Sequence, residues 1–365
     1  LEKKSIDYTL LAVTLLLMAM GVMMVYSSSA ILAQERYHDS LYFLKRELVF
    51  SLVGIFLILT LKNIDYHVYY KWTYPMLAVV LLLLALVFIP GIGHSAGGAQ
   101  RWIRIGGVGL QPSEITKLAV LFFLAYALAK KGEQIKSFNK GYIPTLMVTG
   151  FFAALVLAQK DLGTAFLIGL VSFIMLYVAG TRLSYLVATI LAICPALYFL
   201  IFNVDYRRKR IMAFLDPWEH LRDSGFQIIQ SYVAFNSGGL TGAGLGQGKQ
   251  KLFYLPAAHT DFIFSVIGEE LGFIGVSFVM ILFLVLLFRG TKIAFRAPDP
   301  YGTFLAVGIT TLITTQALIN FGVVTGLLPT KGLPLPFLSH GGTAMLVVCV
   351  LIGVLLNISS HARKE

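Results

Sequence analysis

Hydrophobic and polar positions alternate along this chain in long blocks. Apolar runs lie near 10–26, 47–61, 73–90, 114–130, 141–158, 162–180, 183–203, 262–288, 303–325 and 343–358. A helix needs about 20 apolar residues to cross a hydrocarbon core of about 30 Å, so the pattern predicts ten transmembrane helices. The second run is short, and the eighth is long and carries Glu269 and Glu270 between Gly268 and Gly272, so the ends of these two are the least sharply marked. The first run, followed by Ser27, Ser28, Ser29 and Ala30, exceeds the apolar core of about 7 to 15 residues of a signal peptide and is read as a span.

Composition agrees: 57% hydrophobic residues, 13% charged residues and a mean hydropathy of +0.80 exceed what a soluble domain of 365 residues can bury. The expectation is an all-α polytopic membrane protein forming a single domain over 1–365, with one large loop, 204–261, between the seventh and eighth helices. Ten spans place both termini on one side. With cytoplasmic termini, 14 of the 29 Lys and Arg fall on cytoplasmic segments; leaving out the long loop, the short-loop score is 14 to 8 in favour of that orientation. Cys194 and Cys349 lie within apolar runs and read as small core residues. The seven histidines show no metal-ligand spacing. A net charge of +11 dispersed among membrane loops points to anionic lipids and lipid-linked phosphates rather than nucleic acid.

In this orientation the dense polar sequence lies in three external loops, Gly91 to Pro112, Asp205 to Thr260 and Gly326 to Gly342, away from ATP and nucleotide sugars. In the first, Arg101 and Arg104 precede Glu114 and Lys117, which share a helical face. Glu114 suits a first helical turn; Lys117 there opposes the helix dipole and, beside Arg101, suits a pyrophosphate. Asp161 either caps the sixth helix or orders those cations. In the long loop, YRRKR at 206–210 reads as a headgroup anchor, and Asp216 and Trp218 as an interfacial turn. The glycines from Gly238 to Gly248 fail the P-loop pattern at Ala243 and Gln250, leaving either a mobile connection or backbone amides that cradle an anion.

Asp261 is the best candidate for chemistry. It either caps the eighth helix or, partly desolvated beside His259 and the basic loops, acts as a general base. Glu269 lies two turns deeper, at about 12 Å by helical rise, and the Glu pair has no separable roles in sequence. GLLPTKGLPLPFLSHGG at 326–342, with Lys331, Ser339 and His340, reads as a re-entrant cavity wall, because broken backbone at membrane depth must be buried in protein or line a cavity.

YSSSA at 26–30, GAQRWI at 98–103, QPSEITK at 111–117, DLGTA at 161–165, FLDPW at 214–218, SGGLTGAGLGQGKQKLFYLPAAHTDFIFSVIGEELG at 237–272 and the 326–342 segment together resemble the SEDS family of bacterial membrane proteins over essentially the whole chain. The resemblance implies a ten-span, GT-C-like fold in the bacterial cytoplasmic membrane. It also implies polymerisation of lipid II into peptidoglycan glycan strands at the outer face, with a class B penicillin-binding protein as partner. By resemblance Asp261 is the essential acid and Arg101, Glu114, Lys117 and Asp161 line its cavity; the position of His259 beside Asp261, and of Lys331 and Ser339 in the re-entrant wall, adds them to the expected substrate- and pyrophosphate-binding set. No organic cofactor is implied; a divalent cation, Mg2+ or Mn2+, beside the pyrophosphate is left open. GQGKQKLFYLP and GLLPTKGLPLP look closer to division and sporulation members than to elongation members. Ala257, His340 and Lys160 depart from the family pattern, where Glu, Tyr and Pro are usual. The rival readings are a lipid II flippase, which ten spans and intramembrane acids also fit, and a noncatalytic scaffold for a penicillin-binding protein. The outward clustering of the cations favours the polymerase.

Overall fold

The computed structural model describes residues 6–96, 99–105, 108–221, 224–252 and 255–362. Gly98, Phe253 and Tyr254 of the motifs above, Gly97, Gly106 and Gly107 of the first external loop, and Lys3, Lys4, Arg222, Arg363 and Lys364 of the charge count, lie outside these residues.

Each predicted apolar run forms a helix. In chain order these are α1 (Tyr8–Tyr37), α2 (Tyr42–Leu61), α3 (His67–Leu86), α4 (Pro112–Lys131), α5 (Ile143–Ala158), α6 (Leu162–Val178) and α7 (Leu183–Phe202), then α10 (Ile263–Arg296), α11 (Pro300–Val324) and α12 (Gly342–Ser360). Among the described residues, eight are long and apolar enough to cross a membrane on their own. The two others fall short for identifiable reasons: α2 carries Lys45, Arg46 and Glu47 near its start, and α6 has 17 residues. Within their most apolar windows, 83% of α4 is buried against 6% of α7, so α4, with α11 and α12, forms the centre of the bundle and α7 its rim. These helices are apolar all round because one side meets protein and the other lipid.

Two connections are more ordered than the sequence pattern suggests. Between α3 and α4 the chain makes an antiparallel sheet, β1 (Gly93–Ala96), β2 (Ala99–Ile105) and β3 (Val108–Leu110), in that order, with Ile103 opposite both Gly93 and Leu110. This modifies the all-helical expectation. The long loop contains α8 (Asp205–Leu215) and α9 (Ser224–Gly238). Helix α9 packs along the start of α10, and Ser231 Oγ lies 2.6 Å from Ser265 Oγ and donates to the Val324 carbonyl at 2.5 Å.

Helix α10 is broken at Gly272, whose φ of 64° belongs to the left-handed region. The break frees backbone groups, which in a membrane must be satisfied by protein. The glycine-rich segment supplies partners: the Ala243 and Gly244 amides donate to the carbonyls of Glu269 and Glu270, and the Phe273 and Ile274 amides donate to those of Gly239 and Leu240. The two chains run so close that a β-carbon at Gly242 would stand 2.2 Å from the Glu270 carbonyl oxygen. The Gly238 to Gly248 segment is therefore neither a mobile connection nor an open anion cradle. Its later amides do bind anions, but these are the protein's own: Glu269 accepts from the Lys249 and Gln250 amides, and Glu270 from Gly246. Glu270 is also held by Lys251 at 2.7 Å and by Ser27 of α1.

Candidate active site

Asp261 sits one residue before the N-cap of α10, which is Phe262 and carries no side-chain cap. The capping role is thus not taken by Asp261. Its main-chain carbonyl accepts from Asn320 Nδ2 of α11 at 2.8 Å, and the same amide reaches the Leu333 carbonyl at 3.0 Å. The half-buried carboxylate faces the re-entrant segment 326–341 at Gly332. Burial pushes its pKa up to about 6, with Asp161 acting in the same sense, while Arg210 and Arg101 pull it back. An acid poised there is ionised at neutral pH and basic enough to take a proton.

Segment 335–340 is stitched to the residues just before Asp261. Ser339 Oγ donates to the Thr260 carbonyl at 2.6 Å, and the His340 amide donates to the His259 carbonyl at 2.9 Å. Ser339 is 4% exposed and also accepts from the Leu335 amide, so its hydroxyl is committed to the backbone. The His259 ring lies 4.9 Å from Phe43, and burial, with His340 and Arg36 nearby, pushes its pKa down to about 4, leaving it neutral. Lys331 stands over the Phe166 ring with its ammonium 3.7 Å from the centroid, and burial lowers its pKa.

Asp161 does cap α6, accepting from the Thr164 amide at 3.1 Å, and its other oxygen accepts from Ser113 at 3.1 Å. It thereby ties the start of α4 to the start of α6. Glu114 and Lys117 pair at 2.8 Å with side chains 2% and 1% exposed, and Lys117 also donates to Gln316 of α11 at 2.8 Å. Gln316 in turn donates to the Pro334 carbonyl at 2.7 Å. The ammonium is therefore buried beneath the re-entrant segment rather than partly exposed beside Arg101. The Arg101 guanidinium donates to the carbonyls of Gln159 and Lys160 in the α5–α6 turn.

The structure thus brings Asp261, Arg101, Asp161, Lys331 and Ser339 to one end of the bundle, with the Glu114–Lys117 pair one layer deeper. It also adds residues that sequence reading passed over. Arg210, read as a headgroup anchor, reaches the Thr330 carbonyl at 3.5 Å and is the strongest cation acting on Asp261. Gln316 and Asn320 were legible as a polar pair four apart in an apolar helix. Among the described residues, no three or more His, Cys, Asp or Glu gather where they could hold a metal ion.

The family model described as "Cell cycle protein", spanning FtsW, RodA and SpoVE, matches residues 7–364. The chain is 49% identical over 362 residues to the probable peptidoglycan glycosyltransferase FtsW of Geobacter metallireducens, covering 99% of this chain and 96% of that one. It is 44% identical over 362 residues to the stage V sporulation protein E of Bacillus subtilis, covering 99% of each. Among solved structures, a chain of a peptidoglycan synthase complex that coordinates polymerization and crosslinking superposes with a TM-score of 0.79 at 26% identity, covering 97% of this chain and 98% of that one. The rod shape determining protein RodA of Thermus thermophilus superposes with a TM-score of 0.73 at 25% identity, covering 99% of each. From its first described helix to its last, the chain belongs to the FtsW/RodA/SpoVE family of membrane-embedded cell cycle proteins.

Proposed function

We propose that this protein is a peptidoglycan glycosyltransferase that polymerises lipid II into glycan strands at the outer face of the bacterial cytoplasmic membrane. All ten long helices cross, with both termini cytoplasmic; in α2 the charged residues lie in its first two turns and in α6 all 17 residues are uncharged. The observation that carries the reading is Asp261: a carboxylate without a capping role, pushed up to about 6 and flanked by Arg210 and Arg101, on the end of the bundle where the polar loops meet.

Asp261 takes the proton of the acceptor 4-hydroxyl on the GlcNAc of lipid II as that oxygen attacks C1 of the MurNAc at the end of the lipid-linked strand. The C1–O bond to undecaprenyl pyrophosphate breaks, the electron pair leaves with the pyrophosphate, and configuration at C1 inverts. One base suffices because no covalent sugar intermediate forms, unlike the retaining glycosidases with their carboxylate pairs. Arg101, Arg210 and Lys331 offset the charge that grows on the leaving pyrophosphate, which is where preorganised cations act most strongly. Lys117 and Glu114, joined through Gln316 to Pro334, support the re-entrant segment from below. A class B penicillin-binding protein crosslinks the product.

The test is polymer formation from purified lipid II by the reconstituted protein with a class B penicillin-binding protein, comparing wild type with Asp261→Asn at matched folding. Polymer from wild type alone supports the assignment. Equal polymer from both removes Asp261 from the chemistry, and lipid II translocation without polymer replaces the transferase with a flippase.

A further inference from the structure

Helix α2 carries a carboxylate that this mechanism does not use. Glu47 is fully buried, its side chain 0% exposed. Its Oε2 stands 2.7 Å from Nδ1 of His340, whose side chain is 17% exposed, and its Oε1 is buried without a hydrogen-bond partner among the described residues. A buried acid satisfied at one oxygen only is a poor device for stability: a polar pair taken out of water often holds a fold no better than apolar residues of the same volume.

What the pair touches is more informative. His340 donates its main-chain amide to the His259 carbonyl, and Ser339 donates its hydroxyl to the Thr260 carbonyl. The two residues next to the carboxylate–imidazole contact therefore hold the two residues that precede Asp261. Phe43, one turn before Glu47 and on the same face of α2, packs its ring 4.9 Å from His259 and 5.2 Å from His340. Helix α2 thus grips the Asp261 segment from one flank through a ring and a carboxylate–imidazole contact, and Asn320 of α11 grips it from the other through the Asp261 carbonyl.

We propose that Glu47 and His340 are positioning residues for glycosyl transfer: the buried carboxylate fixes the imidazole, and the His340 amide with the Ser339 hydroxyl fixes the register of the segment that presents Asp261. The proposal rests on the glycosyltransferase reading. A carboxylate misplaced by about 1 Å loses on the order of a hundredfold in rate, so a clamp on the two preceding residues bears directly on turnover.

The experiment replaces the pair with apolar residues of similar size, Glu47→Met with His340→Phe, and measures melting temperature, kcat, KM for lipid II and backbone hydrogen exchange at 257–262 and 335–341. The expected result is an unchanged or higher melting temperature, an unchanged KM, a kcat lower by about tenfold or more and faster exchange in both segments. Glu47→Gln, which keeps an acceptor for the imidazole N–H, should retain most of the turnover. Wild-type kcat and wild-type exchange in the double variant would overturn the proposal, as would a kcat that falls only in step with melting temperature, the mark of a structural pair. Should the wild type make no polymer, the transferase reading fails on its own account. Exchange at the two segments still reports whether the clamp exists.

Discussion

A β-carbon added to Gly332 would stand 3.2 Å from Oδ2 of Asp261. The re-entrant segment therefore passes the carboxylate with room for a hydrogen and little else, and the closeness of the two is a property of the backbone rather than of a side chain.

Gly332→Ala should accordingly push the carboxylate or the segment by a few tenths of an ångström while leaving the bundle intact, since the position does not require a left-handed φ. The expected outcome is a fall in kcat of about ten- to a hundredfold with a small change in KM, because misplacement acts on the reacting geometry more than on lipid binding. Steady-state polymerisation of lipid II at matched protein folding checks it; wild-type turnover would place the reacting atoms elsewhere.

The acid limb of the reaction should report Asp261. Its carboxylate must be ionised to accept a proton, and burial raises its pKa to about 6, so rate should fall as pH drops through about 6 rather than through the usual carboxylate range near 4. Arg210 opposes the rise, so Arg210→Gln should move the limb to higher pH; Asp161 adds to it, so Asp161→Asn should move it lower. The same shift makes a stability statement. A carboxyl whose folded pKa lies above its unfolded value destabilises the fold once ionised, and the penalty develops between about pH 4 and 6 and persists above. Asp261→Asn should therefore raise the stability at neutral pH by about 1–2 kcal/mol for a partly solvated group, seen as a higher melting temperature, while abolishing turnover.

How much of this was legible follows from what each residue signals in one dimension. The apolar runs name every long helix because burial and lipid both demand continuous hydrophobicity, and Asp161 and Asp261 stand out as acids where such runs begin. Lys117 also stood out, but its burial did not, because the partner that draws it inward, Gln316, lies 199 residues away. Arg210 looked like a headgroup anchor for the same reason: its relation to Asp261 and Thr330 comes from how α8 folds back, and no local pattern encodes that. Glu269 and Glu270 had no separable roles because Glu269 is held by backbone amides, which every residue possesses, and Glu270 by Ser27, 243 residues away, as well as by Lys251. Glu47 follows Lys45 and Arg46 at the start of the short second apolar run, and nothing nearby in sequence points to His340.

The anchor between Glu270, Lys251 and Ser27 gives a separate test of the long loop. The Lys251 and Glu270 side chains are 5% and 0% exposed, so Lys251→Met strands a buried carboxylate with only Ser27 and the Gly246 amide. It should lose about 3 kcal/mol of stability and open residues 244–252 to proteolysis. Adding Glu270→Gln removes the stranded charge and should restore most of the loss. Melting curves and limited proteolysis check both, and an unaltered single variant would show that the loop is held by its backbone pairing with the opened turn of α10 alone.

The Glu114–Lys117 pair separates support from chemistry. Both side chains are sealed under the re-entrant segment, and removing Lys117 alone leaves Glu114 charged in a dry site, so Lys117→Met should cost about 3–5 kcal/mol. Replacing both, Lys117→Met with Glu114→Leu, substitutes apolar volume for a balanced pair and should return stability close to wild type. Activity then distinguishes two roles. If Lys117 only supports Gln316 and the Pro334 carbonyl above it, the double variant should regain turnover to within about tenfold of wild type. If the ammonium reaches the pyrophosphate when substrate opens the site, the double variant should be stable yet lose about a hundredfold or more, the scale expected when a transition-state charge loses its partner. The buried geometry favours the first outcome, since Lys117 already has two partners at 2.8 Å and its side chain is 1% exposed.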